Sequence, residues 1–266
     1  MKTMTCRQLG GPCDLAHRGE SADDVIKAQD AHLKEAEKAG DASHQPAREE
    51  MKGRWRRPVK AMGWYRDTKQ AFADLLTELG QLTTVPVDPK PRIRTLADPA
   101  ILREPMLALA GAEGFSPPAD DAVDRLRRHL YAGAFLLIDD TSGLEQSAFA
   151  DSVTALLSRL FPDQPLRALG FDHAVFRSFF LLDGAAGRFA LWPFLEGVTV
   201  GDITPVVVSR NDVSGAWTRA PGGGFAREVV PGGERQRLRA IELGINVLMY
   251  ALTANYKRDA VHVEAL

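Results

Sequence analysis

The chain has 266 residues, 45% of them hydrophobic and 26% charged, with a formal net charge of -2. That length suits one large domain or a small one joined to a medium one, and the composition is that of a folded protein rather than a disordered one. The near-neutral balance argues against nucleic acid as a partner of the whole molecule, and two cysteines, Cys6 and Cys13, are too few for a disulfide framework.

At the start of the chain, Met1 to Gln8 has no apolar stretch resembling a secretory signal, and no run of about 18 apolar residues occurs anywhere. A soluble, cytoplasmic protein with no membrane span is expected. Residues 1 to about 50 are polar, with a helix starting near Ser21, where Asp24 three positions on completes a capping pair. Residues 52–69 then carry Lys52, Arg54, Arg56, Arg57, Lys60, Arg66 and Lys69 against one acid, Asp67, with Trp55, Trp64 and Tyr65 interleaved. Such a run either tracks a nucleic-acid backbone while its rings stack on bases, or forms a solvated helix face with aromatic anchors, and the second account is the simpler.

Phe72, Leu75, Leu76 and Leu79 follow at helical spacing, and the prolines of Val85 to Pro91 keep that segment extended. Met106 to Ala110 reads as a short buried strand ending at Gly111. A helix from about Ala119 to Tyr131 aligns Val123, Leu126 and Leu130, and Gly133 terminates it. Ala134 to Ile138 is apolar without alternation, the pattern of a strand covered on both faces. A helix over about Glu145 to Leu160 buries Phe149, Val153, Leu156 and Leu160. Thr204 to Ser209 is a second continuous apolar strand, and Glu234 to Thr253 a last long helix. This alternation predicts an α/β domain over 75–266, a mainly parallel sheet with helices on both faces, preceded by a small α+β module over 1–74.

Ligands of parallel sheets bind where loops leave the carboxyl ends of strands. Three ends stand out: Gly111 with Glu113, the Asp139–Asp140 pair, and Asp212 followed by Trp217. Adjacent strand residues point to opposite faces, so at most one of Asp139 and Asp140 faces a crevice, and the other caps a helix or loop. Both could equally serve turn N–H groups. Asp172 could orient the His173 imidazole, or the two could form a structural turn. The chain lacks a Gly-x-Ser-x-Gly elbow, a phosphate loop and a Gly-x-Gly-x-x-Gly after a strand. At the N-terminus, Cys6 and Cys13 with His32, or with His17 or His44, have the donor chemistry of a zinc site. The Cys-x6-Cys spacing is wider than the usual two to four residues, and the alternative is two small buried cysteines in a tiny core.

Several segments resemble the bacterial family catalogued as domain of unknown function 4159: Leu96-Ala97-Asp98-Pro99, Leu109 to Phe115, Leu126 to Asp140, Asp172-His173 with Phe176, Leu195-Glu196-Gly197, Asp212 with Trp217, and Leu243 to Val247 with Tyr250 to Thr253. The resemblance implies a flavodoxin-like fold similar to class I glutamine amidotransferases but without that enzyme's cysteine nucleophile. Members often occur in membrane-anchored proteins, and no anchor is expected here. The family's first loop commonly carries Gly-His-Gly, where this chain has Gly111-Ala112-Glu113-Gly114. Met1 to Gly11, Cys13-Asp14, His32 and Trp64-Tyr65 to Asp74 resemble a second small family, domain of unknown function 1059. Neither resemblance implies an established activity. The expected function is a non-catalytic module that binds a small molecule or protein segment in a crevice lined by the strand-end residues. The alternative is a carboxylate- or metal-dependent hydrolase in which Asp140 or Glu113 activates water, assisted by Asp172–His173.

Overall fold

The computed structural model describes residues 2–9, 11–19, 22–48 and 58–254, with the backbone alone for residues 2, 8, 22, 23, 26 and 58–67. Ser21 and most of the basic–aromatic run of 52–69 therefore lie outside the described side chains. The chain divides into two compact units, Met1–Tyr65 and Arg66–Leu266. No helix among the described residues is long and apolar enough to cross a membrane.

The smaller unit opens with an antiparallel hairpin of β1 (Lys2–Thr5) and β2 (Ala16–Gly19), in which Thr5 pairs with Ala16. Beyond the last pair, Cys6 N–H donates to Leu15 O at 2.8 Å, and the Cys6 carbonyl accepts from Leu9 and Gly11 N–H at 3.1 and 2.7 Å. The connecting loop is thereby wound into a tight knuckle. Helix α1 (Ala22–Lys38) follows, with Val25, Gln29 and Leu33 buried four apart on one face and His32 beside them. Gly40, at φ +73°, turns the chain out of α1, a left-handed conformation that glycine adopts without a Cβ penalty. Asp41 then caps a one-turn helix, Ala42–His44, accepting from Ser43 N–H at 2.9 Å. Arg48 returns to α1 through ion pairs with Asp30 and Glu37. Among the described residues of this unit, Cys6, Leu33 and Ala47 form one apolar cluster, with Cys13 packed against them and Val25 also buried.

In the larger unit the described residues form a five-stranded sheet of order β3-β4-β7-β6-β5. Its strands are β3 (Met106–Gly111), β4 (Phe135–Asp140), β5 (Arg167–Ala168), β6 (Glu196–Val200) and β7 (Ile203–Ser209). β3, β4 and β7 run parallel, whereas β6 and β5 add antiparallel at one edge. The sheet is thus mixed rather than mainly parallel. The cause is local: only Gly201 and Asp202 join β6 to β7, too few for a crossover, and Gly201 supplies the positive φ (+60°) that a two-residue hairpin needs.

Helices cover both faces. α2 (Pro58–Leu82) contributes Ala71, Phe72, Leu75 and Leu79 to one core, where they meet α5 (Val213–Trp217) and α6 (Gly233–Thr253) over Phe135, Leu137 and Val207. α3 (Asp120–Tyr131) and α4 (Ala148–Leu160) pack on the other face over Leu136, Ile138, Val206 and Val208. Odd and even residues of β4 enter different cores, which is why its sequence is apolar without alternation. Gly244 of α6 lies where a Cβ would come within 2.7 Å of the Trp217 ring and 2.8 Å of Leu75, so the missing side chain lets both pack on the helix. The long connection between β5 and β6 is held by two fully buried asparagines. Asn211 accepts from the Leu191 and Trp192 N–H groups, and Asn246 from those of Phe179 and Phe180.

Candidate metal centre

Four side chains converge in the smaller unit: the donor atoms of Cys6, Cys13, His32 and His44 all lie within 4.8 Å of one another. The knuckle after β1 supplies both thiols, α1 supplies His32, and the one-turn helix supplies His44. Cys13 Sγ is 3.3 Å from His32 Nε2, which is 3.2 Å from His44 Nε2. Tetrahedral zinc, with bonds of about 2.0–2.1 Å to nitrogen and 2.3 Å to sulfur, spaces neighbouring ligand atoms about 3.3–3.8 Å apart. The S···N distance of 3.3 Å lies at the lower edge of that range and the N···N distance of 3.2 Å just below it. The expected set of Cys6, Cys13 and His32 is therefore brought together, and His44 completes it.

The surroundings orient the donors. His44 Nδ1 donates to Asp41 Oδ2 at 2.7 Å, which leaves Nε2 as the ring nitrogen that faces the cluster. Gln29 Nε2 donates to Cys6 Sγ at 3.4 Å. Gly11 stands where a Cβ would come within 2.2 Å of Cys6 Sγ, so only glycine fits beside the sulfur. His17 on β2 is buried against the His32 ring, with centroids 5.4 Å apart and tilted, and stands next to the donor set.

Electrostatics separate the two thiols. Burial raises the Cys6 pKa above its ordinary value. Burial also pushes the Cys13 thiol up, but hydrogen bonding from His44 and the Leu15 backbone outweighs it and holds Cys13 below the ordinary range. His44 is raised by its bond to Cys13, against burial and with help from Asp41, whereas burial and then the neighbouring His44 lower His32. These shifts favour a thiolate at Cys13 and a neutral imidazole at His32, whereas Cys6 is held toward the thiol and His44 toward the imidazolium, so a cation bound by all four would displace protons from the last two.

The strand-end residues of the larger unit have other partners. Asp139, on the α6 side of the sheet, accepts from Val213 N–H at 3.0 Å and from Ser214 N–H and Oγ–H at 2.9 and 2.6 Å. Asp212, the N-cap of α5 in a left-handed conformation (φ 52°), accepts from Gly215 N–H at 2.9 Å and pairs with Arg188. Burial, then the charge of Asp212, pushes Asp139 up to about 7, and burial raises Asp212 despite Arg188. Asp140, on the opposite face, accepts from Ser142 N–H at 3.0 Å and from the hydroxyl of Ser147, which in turn caps α4. The two adjacent carboxylates thus point apart, each toward a helix start.

Gly111 pairs with Asp140 at the sheet end, where a Cβ would come within 2.5 Å of the Phe149 ring; its smallness accommodates a core ring. Glu113 is exposed in the loop that follows. Trp217 is core, with its Nε1–H on Ala240 O at 2.8 Å and its ring edge-on to Phe72. Asp172 is exposed, whereas His173 caps a one-turn helix through Nδ1 and bonds Thr204 at 3.0 Å through Nε2. Thr204 is the second residue of β7 and Ser209 the last, so His173 sits about 17 Å along the strand from the carboxylate end. Asp139 and Asp212 are brought together; Asp172, His173 and Trp217 do not join them around one crevice. Asn211 and Asn246 went unrecognised as anchors because a buried asparagine bonding distant backbone leaves no local sequence pattern.

A family model matches residues 58–252, nearly three-quarters of the chain. The chain belongs to this family. It is described as Domain of unknown function (DUF4159), and the match takes in the whole sheet, α2 and nearly all of α6. None of the curated proteins matches the chain.

Proposed function

We propose that the protein is a non-catalytic binding or interaction protein in which a zinc-held N-terminal module precedes the DUF4159 domain. The observation that carries the reading is the convergence of two thiols and two imidazoles, with N···N and S···N separations of 3.2 and 3.3 Å. Four donor atoms of this chemistry gathered within 4.8 Å of one another are a set that one cation can satisfy together. The set of two cysteines and two histidines is that of structural zinc sites, in which metal binding supplies folding free energy. Among the described residues of this unit the buried apolar set is small, Cys6, Val25, Leu33 and Ala47, which is the situation in which a metal staple stabilises a fold.

In the larger domain, support for a non-catalytic role comes from the carboxylates at the strand ends. Asp139, Asp140 and Asp212 hold loops and helix starts, and Asp172–His173 lies too far away to assist a water-activating Asp140. The hydrolase alternative would rest on Glu113, exposed in the loop after β3, without help from Asp172–His173. The parallel strands β3, β4 and β7 between two helical layers agree with the flavodoxin-like, amidotransferase-related architecture proposed for the family. The knuckle bearing Cys6 and Cys13 is the part proposed as related to domain of unknown function 1059. The binding partner proposed for the larger domain is a small molecule or a protein segment.

The test is metal analysis of the full chain purified without chelator. One zinc per chain is expected, and cobalt(II) substitution should give the intense visible bands of a tetrahedral site with thiolate ligands. Metal well below one equivalent after zinc loading, with no cobalt spectrum, would refute the reading.

A further inference from the structure

We propose, resting on the zinc reading above, that the metal centre is redox-gated: peroxide converts Cys6 and Cys13 to a disulfide and releases the ion. These are the chain's two cysteines, both belong to the converging donor set, and their sulfur atoms lie within 4.8 Å of each other. The hairpin brings them together. Cys6 N–H is bonded to Leu15 O, so Cys13 sits just short of the residue across from Cys6 in the continued register. A disulfide needs the sulfurs about 2.05 Å apart, so forming it draws the two side chains together as oxidation of Cys13 loosens its hold on the ion.

The two sulfurs differ in access. Cys6 is completely buried, whereas Cys13 is only partly buried and is followed by exposed Asp14 and Leu15. Cys13 is therefore the sulfur that peroxide reaches first and Cys6 the one that resolves it.

The chemistry balances. Cys13 thiolate attacks one peroxide oxygen, the O–O bond breaks, and the leaving hydroxide takes a proton to become water. Cys6 thiolate then attacks the sulfenic sulfur of Cys13, the S–O bond breaks, and a second hydroxide leaves as water. Two thiolates lose two electrons in all, one hydrogen peroxide is reduced to two waters, and two protons are consumed. The ion loses two of its four ligands and departs, since His32 and His44 alone make a weak site. Reduction of the disulfide by a dithiol restores the donor set.

The experiment uses the full chain loaded with zinc, its metal content measured first, then titrated with hydrogen peroxide. Zinc release is followed with a chromophoric chelator, free thiols with a disulfide reagent, and the product by intact mass. The expected result is release of all bound zinc as free thiols fall from two to none, a mass loss of two hydrogens, and recovery of metal binding after dithiol treatment. In Cys6→Ser, dimedone should trap a sulfenic acid at Cys13; if that variant does not fold, the wild-type mass still decides. Zinc that stays bound, or leaves with added oxygen atoms on the cysteines instead of a disulfide, would overturn the gating while leaving the zinc reading intact. A chain that takes up no zinc at the loading step would overturn both.

Discussion

Replacing Asp139 with Asn changes how the stability of the larger domain depends on pH. The carboxyl is 1% exposed and lies near Asp212, and burial followed by that neighbouring charge raises it from 3.8 to about 7. Between about pH 4 and pH 7 the folded state therefore holds a proton that the unfolded chain releases. The protonated group contributes its full stability below the unfolded value, and that contribution is lost as pH rises through the folded one. About 1.4 kcal/mol per pH unit over this span gives a fall of at most about 4 kcal/mol. Asn cannot ionise, so the Asp139→Asn variant loses this slope and keeps only what Asp212 and other groups supply. There is a local cost. Ser214 N–H and Oγ–H share one carboxylate oxygen, and an amide group in that place deprives them of an acceptor, at about 1–3 kcal/mol. The variant should be less stable than wild type near pH 4.5 and should draw level with it or pass it near pH 8. Urea denaturation followed by circular dichroism across this range measures both curves. Two curves of the same slope, offset by a constant, would show that Asp139 carries no raised proton affinity and would refute the reasoning.

Three further outcomes follow from the contacts. Asp41→Asn removes the carboxylate behind His44 and should weaken zinc binding about 10- to 100-fold in chelator competition, and an unchanged affinity would remove Asp41 from the centre. Gly111→Ala forces a Cβ against the Phe149 ring at 2.5 Å and should cost about 1–3 kcal/mol by denaturant titration, whereas a neutral substitution would mean that the ring yields freely. Asn246→Ala leaves the N–H groups of Phe179 and Phe180 without their acceptor and should destabilise by about 3 kcal/mol, with faster proteolysis between β5 and β6. Unchanged proteolysis there would show that the connection is anchored elsewhere.

Elements whose signals are local were legible in the amino-acid order. Leu126 and Leu130 on α3, Phe149 and Val153 on α4, and the unbroken apolar runs of β4 and β7 mark helices and two-sided strands because burial imposes a period on neighbouring residues. Glycine at position 133 announced the end of α3, and it takes φ +108° there. The opposite facing of Asp139 and Asp140 also followed from strand geometry alone. Tertiary structure decided what depends on distant partners. The edge of the sheet turned antiparallel at Gly201 and Asp202, whose short span reads as a hairpin only once β6 is recognised as a strand. His44 was one of three histidines that could have joined Cys6, Cys13 and one another, and no spacing rule chose among them. The choice was made by the direction of the one-turn helix after Gly40 and by Asp41 turning the imidazole inward. Periodicity along a chain records burial, but convergence of donor atoms from a knuckle, a helix and a turn is a property of the folded path, which is why the full Cys6, Cys13, His32 and His44 cluster emerged only in three dimensions.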